Sequence, residues 1–246
     1  MPCNDNNKIA KNCLSCVVRK STIFGSLTDD EMASVEGYIE KKRHFQSGEY
    51  VIQENSSVNY SLCINSGYLI LGSYLENGSR QIFQVAMPGD SIGFSHSNAD
   101  YNYFVQAMTE VDVCVISNVT VDKLIGEQKA IATKLVEILS HNTAVNQQYL
   151  LNLGRKSARE ALAYLIMDIS TRIRQRLIKC TTNESELSFF PLNQEDMADI
   201  LGMTKVHISR ITSEFKKEQL IQCSHKTIKV LDEDRLSEIG GFSVLG

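Results

Sequence analysis

A long stretch without helix-breaking residues occupies the middle of the sequence. Between Glu127 and Leu153 there is neither glycine nor proline, so these 27 residues can form a single helix. At about 1.5 Å per residue this helix would extend about 40 Å. Since helices of globular domains are commonly about half as long, the stretch predicts a helix that connects two domains. Gly154, directly after it, is the expected C-cap or hinge.

Apolar residues within this stretch follow alternating spacings of four and three. This is the pattern of a two-stranded coiled coil, in which a polar residue among the apolar ones fixes the register and the number of partners. Asn142 has such a position. We therefore expect a homodimer; the alternative is that the same stripe packs on the chain's own β-domain. The expected dimerisation residues are Ile131, Leu135, Ile138, Asn142, Val145 and Tyr149.

Short strand-like runs precede the long helix. From about Phe45 to Ser117, apolar runs alternate with turn residues, and the Asn77-Gly78 pair is a strong hairpin signal. Such regular spacing of short strands predicts an antiparallel sandwich or roll. Upstream of them, Thr28 and Glu31 have the spacing of a capping box, which indicates the start of a helix.

The C-terminal part contains a pair of predicted helices joined by a glycine turn. Residues 193–202 have the pattern of a capped helix closed by Gly202, and a second helix begins at Lys205. This arrangement is typical of proteins that insert the second helix into the major groove of DNA. Two short apolar runs, at 220–223 and 227–231, predict a wing formed around residues 224–226.

The second helix of this pair has one apolar face and one polar face. Ile208, Ile211 and Phe215 can face the domain core, which leaves the N-terminal half of the helix to contact bases and phosphates. An arginine there can pair with guanine through two hydrogen bonds. The candidate DNA-binding residues are Thr204, Lys205, Val206, His207, Ser209 and Arg210.

Charge and motif content limit the possible functions. The chain has a net charge of −4, and residues 155–246 hold 14 Lys and Arg against 13 Asp and Glu. Any DNA-binding surface must therefore be local. The sequence lacks the Gly-rich phosphate loop, HExxH and GxSxG motifs, so we do not expect an enzyme. No membrane span or export signal is recognisable, which predicts a cytoplasmic protein without a membrane partner.

The cysteines suggest metal or redox chemistry. Seven are present, an odd number that does not favour a disulfide framework, and Cys3, Cys13 and Cys16 cluster near the N-terminus. The alternative is that these thiols are redox-active or incidental and hold no cofactor. Cys63 lies in an apolar run, so we expect it to be a core residue.

These motifs together resemble the Crp/Fnr superfamily of bacterial regulators over the whole chain. The resemblance rests on PGDSIGF at 88–94, on the long helix, and on QEDMADILGMT followed by Ser209-Arg210. It implies an α+β fold: an N-terminal antiparallel β-roll like that of cyclic-nucleotide-binding domains, a long dimerisation helix and a C-terminal winged helix-turn-helix. The implied segments are a cysteine-bearing N-terminus (1–22), the β-roll sensor (23–120), the dimerisation helix (121–154) and the DNA-binding domain (155–246).

The oxygen-sensing Fnr branch is the most similar. The resemblance implies that Cys13, Cys16 and Cys114 correspond to three of its four iron-sulfur ligands, and hence a 4Fe-4S cluster, which usually takes four thiolates. The fourth ligand normally follows six residues after the position of Cys16, where this chain has Thr22. Cys3 is a candidate for the missing thiolate; a site with three thiolates, or no cluster at all, is the alternative.

Two other family features are altered. The Arg and Glu with which relatives hold a cyclic nucleotide have no counterpart in residues 89–108, so we expect no cyclic nucleotide. Val206 replaces a glutamate that usually contacts cytosine; valine can instead contact a thymine methyl group. The resemblance implies a half-site that differs from the Fnr consensus beside the guanine that Arg210 contacts.

The sequence therefore predicts a transcription regulator that binds double-stranded DNA as a homodimer on a two-fold symmetric site. The resemblance implies that it responds to oxygen or redox state through the N-terminal cysteines, with RNA polymerase as a further partner. One alternative is a regulator without a cluster that senses another signal through its β-roll. Another is a redox or metal-binding protein whose C-terminal domain is an interaction module.

Overall fold

A computed structural model describes residues 13–39, 41–94, 102–177, 189–224 and 227–244. The chain divides into two compact units, and the division falls between Ser140 and His141, not after Gly154. The β-roll unit contains the described residues of 13–78 and 83–140. The helical unit contains residues 79–82 and the described residues from 141 onward.

Two four-stranded sheets form the roll, and their residues belong to the β-roll unit except residues 80–82 at the start of β5. One has the strand order β1-β8-β3-β6 and the other β2-β7-β4-β5. The pairings of β8 with β1 and β3, of β3 with β6, and of β7 with β2 and β4 are antiparallel, which confirms the predicted antiparallel β-roll. The strands are β1 Lys41–Phe45, β2 Tyr50–Ile52, β3 Tyr60–Ser66, β4 Leu69–Tyr74, β5 Arg80–Ala86, β6 Ser91–Ile92, β7 Phe104–Ala107 and β8 Val111–Ser117.

Strand β3 is apolar on both faces because both faces are covered. Leu62 and Ile64 belong to the apolar core of the roll, together with residues of both sheets. Cys63 lies between them in the chain and therefore faces the other side. There it belongs to a second apolar cluster, the sheet-helix cluster. Its buried members are Ile23, Phe24, Leu27, Met32, Val35, Cys63, Ile116, Val121, Leu124 and Ile131.

Helices pack on the face of β3 that lies opposite the core of the roll, and a long helix follows them in the chain. Thr28 and Glu31 form the predicted capping box at the start of α1, and Ser117 caps α2. The predicted long helix is present as α3, although it begins two residues later than Glu127 and continues through Gly154. The chain turns instead at Lys156 and Ser157. These helices are α1 Asp29–Val35, α2 Asn118–Glu127 and α3 Lys129–Arg155, and two 3-10 turns occupy Arg19–Ser21 and Glu36–Tyr38.

The helical unit is built around α4. It lies next to α5, α6, α7 and β10, and Leu162, Leu165, Ile166 and Ile169 on it are completely buried. Strands β9 and β10 pair antiparallel as the predicted wing, whose residues 225 and 226 lie outside the described residues. The elements are α4 Ala158–Leu177, α5 Gln194–Leu201, α6 Lys205–Lys217, β9 Ile221–Ser224, β10 Thr227–Val230 and α7 Glu233–Gly240.

Among the residues that the structure describes, no helix combines the length and the apolar character needed to cross a membrane.

Gly67, between β3 and β4, allows a test of how tightly the roll is packed. Its φ is +82°, and an added Cβ would lie 2.1 Å from the carbonyl oxygen of Glu110. Gly78 has a similar φ of +80°, but no described atom would lie within 4 Å of its Cβ. We expect Gly78→Ala to lower the free energy of unfolding by about 1–2 kcal/mol from φ alone. Gly67→Ala should lower it by about 1–3 kcal/mol more, because the backbone must shift.

Urea unfolding of both variants, followed by far-ultraviolet circular dichroism, measures this difference. Equal losses of stability in the two variants would contradict the close approach of Gly67 and Glu110.

Candidate DNA-binding and thiol sites

Local capping interactions set the geometry of the helix-turn-helix. The side chain of Asn193 accepts hydrogen bonds from the backbone of Glu195 and Asp196 at the start of α5. Gly202 ends α5 with a φ of +62°, a left-handed conformation that favours glycine. Thr204 caps α6 by accepting a hydrogen bond from the backbone N–H of His207. The turn between the two helices is therefore fixed by residues within it.

Helix α6 has the two faces that the sequence predicted. Ile208, Ile211 and Phe215 are buried, and they attach the helix to the unit. Lys205, Val206 and Arg210 are exposed, whereas His207 and Ser209 are partly buried. Val206 is 79% exposed, which is unusual for a valine. The N-terminal half of α6 therefore presents its side chains outward.

Lys205 and Arg210 of α6 each take part in a loose ion pair at the surface. Arg210 Nη1 lies 3.8 Å from Glu214 Oε1, and the Arg210 side chain remains 66% exposed. Lys205 Nζ lies 3.7 Å from Glu195 Oε2, also at the surface. Because exposed pairs of this kind contribute little, both cations can exchange their partner for a phosphate or a base.

Arg159 supports α6 from behind. Its Nη2 donates a 2.7 Å hydrogen bond to Glu218 at the end of the helix. Its guanidinium also lies 4.8 Å from the centre of the Phe215 ring. Because this guanidinium is close, the pKa of the Glu218 carboxyl is lowered. These contacts hold the C-terminal half of α6 against α4.

Arg80 makes a contact that sequence analysis missed. It belongs to the helical unit, where its Nε donates to Asp199 Oδ2 and its Nη2 to Asp196 Oδ1, both at 2.7 Å. The neighbouring Gln81 donates to the carbonyl oxygen of Ile200 at 3.1 Å. Both hydrogen-bond acceptors of Arg80 lie on α5, more than a hundred residues away in the chain, so no local sequence signal could have indicated the contact.

The expected dimerisation residues of α3 lie largely against their own chain. Ile131 is completely buried in the sheet-helix cluster, and Leu135 and Ile138 pack on the same cluster. Tyr149 donates a 2.8 Å hydrogen bond to Asp168 of α4. The assignment of Ile131 to a dimer interface is therefore corrected, because a residue without exposed surface cannot contact a partner. Asn142 and Val145 are partly buried.

A different set of α3 residues is exposed. Their spacing along the chain alternates between three and four, as in a coiled coil. We call this set the outer stripe, and it consists of Val136, Leu139, Thr143, Asn146, Leu150 and Leu153.

The thiols of Cys63 and Cys114 face each other across two strands. In the antiparallel pairing of β3 with β8, Cys63 is directly opposite Cys114, so both side chains lie on the same sheet face. Cys63 is buried in the sheet-helix cluster, as expected for a core residue, and Cys114 packs against that cluster. The Sγ of Cys63 lies 3.3 Å from Ser91 Oγ.

The N-terminal cysteines approach the same cluster. Cys13 packs against it, and the backbone N–H of Cys13 donates to Glu36 Oε1. Cys16 follows in the same turn, its N–H donating to the carbonyl oxygen of Cys13. The Cys16 thiol lies 3.5 Å from Asn65 Oδ1 on β3. Segments separated by about a hundred residues thus bring their cysteines to one face of the sheet.

Electrostatic coupling supports this proximity. The pKa of the Cys63 thiol is raised to about 12, mainly by burial; the hydrogen bond with Ser91 lowers it, and charges at Cys114, Cys16 and Cys13 add to the rise. Burial, then Glu36, then Cys114 and Cys16 raise the pKa of Cys13 to about 12. In the conformation described, both thiols are therefore protonated at neutral pH.

Thr22, at the position where the resemblance implies a fourth ligand, has a structural role. It is buried, its hydroxyl donates to the carbonyl oxygen of Arg19 at 2.7 Å, and it accepts from the N–H of Phe24 at 3.2 Å. Cys3, the other candidate, lies outside the described residues. Within the described ranges, no three side chains of His, Cys, Asp and Glu are placed to hold a metal ion. A cluster sets its ligands farther apart than one ion does, and soft thiols suit it.

Comparison with known proteins agrees with this architecture. A model of the Crp-like helix-turn-helix domain matches residues 148–239, and a model of the cyclic nucleotide-binding domain matches residues 42–128. The chain is 27% identical over 235 residues to the fumarate and nitrate reduction regulatory protein of Vibrio cholerae, covering 95% of this chain and 92% of that protein. It is also 27% identical over 227 residues to the nitrogen fixation regulation protein FixK of Bradyrhizobium diazoefficiens, covering 92% and 93%.

A solved structure extends the comparison to the fold. FixK2 from Bradyrhizobium japonicum superimposes with a TM-score of 0.72 at 20% identity, covering 83% of this chain and 98% of that one. Taken together, the two matched domains, their order along the chain and the exposed helix α6 show that this chain belongs to the Crp/Fnr family of DNA-binding transcription regulators.

Proposed function

We propose that this regulator binds a two-fold symmetric DNA site as a homodimer and responds to oxygen or redox state through a 4Fe-4S cluster held by its cysteines. The observation that carries the proposal is the arrangement of Cys13, Cys16 and Cys114, which lie around one sheet face although Cys114 is about a hundred residues from the other two. The relatives named as fumarate and nitrate reduction regulators support a redox signal.

The outer stripe of α3 is the proposed dimer contact. Its four large apolar residues, Val136, Leu139, Leu150 and Leu153, are about half or more exposed in the single chain. A second copy of α3 would cover them in a coiled coil, with Thr143 and Asn146 as polar residues between the apolar pairs. This arrangement keeps the homodimer expected from the sequence but assigns it to another face of the same helix.

Each copy of α6 then enters the major groove of one half-site. Arg210 would donate two hydrogen bonds to a guanine, and Val206 would contact a thymine methyl group. Lys205 and the amides at the N-terminus of α6 would contact phosphates. Two half-sites separated by one turn of DNA match two helices related by a two-fold axis. Contact with RNA polymerase stays a prediction, as does the lack of enzymatic activity.

The cysteines would hold the cluster, which supplies a centre that oxygen can oxidise. The protein around them connects the thiols to α3, because Ile131 at the start of α3 is buried in the cluster of apolar side chains that contains Cys63. A change in packing at the thiols therefore reaches the base of the helix that we propose to dimerise. The predicted lack of a cyclic nucleotide stays a prediction, because residues 95–101 lie outside the described residues.

One experiment tests the proposal. The full chain is purified without oxygen, analysed for iron and sulfide, and titrated into labelled duplex DNA at several salt concentrations before and after exposure to air. We expect bound iron and sulfide, weaker DNA binding after air, and an affinity that falls on the order of 10³-fold between about 50 and 200 mM salt.

The results separate the alternatives. Iron-free protein that binds DNA equally before and after air exposure would contradict the redox function and favour a regulator that senses another signal through its β-roll. Affinity for duplex DNA that does not change with salt would favour the interaction-module alternative.

A further inference from the structure

We propose that Cys63 is the fourth thiolate ligand, completing the set of Cys13, Cys16 and Cys114. This inference rests on the proposed function, because it assumes that a 4Fe-4S cluster is bound. It differs from the family pattern, in which the fourth ligand lies at the position of Thr22, and from the expectation that Cys3 supplies the thiolate.

The strand register carries the first step. Cys63 is directly opposite Cys114 in the antiparallel pair of β3 and β8. Side chains of directly opposed residues lie on one face with Cβ atoms about 4.5–5.5 Å apart. If the Cys114 side chain projects toward a cluster on this face, the Cys63 side chain therefore projects beside it.

The N-terminal turn carries the second step. Cys13 packs on the sheet-helix cluster to which Cys63 belongs. Cys16 places its thiol 3.5 Å from Asn65, which follows Cys63 by two residues on β3. The turn with Cys13 and Cys16 thus contacts both the cluster that contains Cys63 and the strand that carries it.

The third step compares Cys63 with Thr22, which lies where the family pattern has the fourth ligand. The hydroxyl of Thr22 is already used in two hydrogen bonds of its own turn. A hydroxyl is also a harder donor than a thiolate and suits iron-sulfur clusters poorly. Cys63, by contrast, is a thiol on a rigid strand between two well-packed neighbours, Leu62 and Ile64.

Ser91 provides the expected support for a ligand. Its Oγ lies 3.3 Å from the Cys63 sulfur, and Ser91 is itself buried, directly opposite Cys63 on β6. Hydrogen bonds to ligand sulfurs orient them and tune clusters. Ser91 thus gives the buried Cys63 sulfur a hydrogen-bond partner next to a cluster of apolar side chains.

The test compares single variants of the full chain after anaerobic incubation with iron, sulfide and a thiol reductant. Iron and sulfide are counted per chain, and the visible absorption spectrum is recorded. We expect about four irons per chain in the wild type, and less than a tenth of that in Cys63→Ser and Cys13→Ser. Cys3→Ser and Cys223→Ser should load like the wild type; Cys223 lies on β9 in the other unit.

A second variant separates ligand loss from misfolding. Cys63→Ala removes the donor but keeps a small apolar side chain in the sheet-helix cluster, so its iron-free form should melt within a few degrees of the iron-free wild type. We expect it to lose the cluster as Cys63→Ser does.

Three results would overturn the inference, and they are distinguishable. Full loading of both Cys63 variants with loss of loading in Cys3→Ser would assign the fourth thiolate to Cys3. Full loading of all Cys63 and Cys3 variants would indicate a site with three thiolates. A wild-type chain that takes up no iron would contradict the proposed redox function as well, whereas the first two results would leave that function intact.

Discussion

Arg210→Ala should abolish most of the sequence discrimination of this regulator without unfolding it. The side chain is 66% exposed and lies 3.8 Å from Glu214 in a loose surface ion pair, so its loss should leave the helical unit intact. A bidentate arginine-guanine pair contributes about 1–3 kcal/mol of discrimination. We therefore expect the affinity for the specific site to fall roughly 5- to 150-fold. The affinity for unrelated DNA should fall only by as much as the loss of one phosphate contact causes.

Competition binding with a selected duplex and a scrambled duplex of equal length measures this effect. Lys217→Ala is the matched control, because Lys217 is a cation on the same helix, exposed at its other end. It should weaken binding to both duplexes alike, if it weakens binding at all. If Arg210→Ala and Lys217→Ala reduced affinity equally for the two duplexes, Arg210 would not contact a base.

Charges introduced on the outer stripe of α3 should dissociate the dimer. In the double variant Leu139→Glu, Leu150→Glu, each protomer would bring two carboxylates into the two-fold interface. All four would be buried without partners, each at a cost of several kcal/mol. Both leucines are at least half exposed in the single chain, so the fold should tolerate the changes. We expect the variant to be a monomer at concentrations where the wild type is a dimer. Because a monomer contacts one half-site, the variant should also lose the DNA affinity that the dimer gains from contacting both.

Sedimentation equilibrium and DNA titration measure both effects. Leu75→Glu is the control, since Leu75 is a similarly exposed leucine on a different element, the turn between β4 and β5. It should leave the dimer unchanged. A double α3 variant that remains dimeric would exclude the outer stripe and direct attention to the partly buried Asn142 and Val145.

The DNA-binding half was the most predictable part of this chain because its geometry depends on local interactions. Asn193 and Thr204 cap the two helices, and Gly202 has the left-handed φ that its position requires. Each of these effects operates within about four residues, so it appears in the sequence as a spacing. The buried and exposed faces of α6 follow from the 3.6-residue period in the same way.

The surface that covers each apolar stripe could not be predicted from local residue spacing. Helix α3 has two stripes with spacings of three and four, one containing Ile131 and the other containing Leu139. Periodicity shows that a face is apolar but not what covers it. The first stripe packs on the sheet-helix cluster of the roll, and farther along α3 the Tyr149 hydroxyl donates a hydrogen bond to Asp168.

The sequence by itself determined the order of elements, the helix-turn-helix and the residue types of both sites, because these depend on interactions between near neighbours. Only the tertiary structure decided that Cys63 is opposite Cys114, that Arg80 holds α5, and which face of α3 remains exposed. Those contacts join segments tens to more than a hundred residues apart. Their formation depends on sheet register and packing of the whole chain, for which no local spacing in the sequence is a signal.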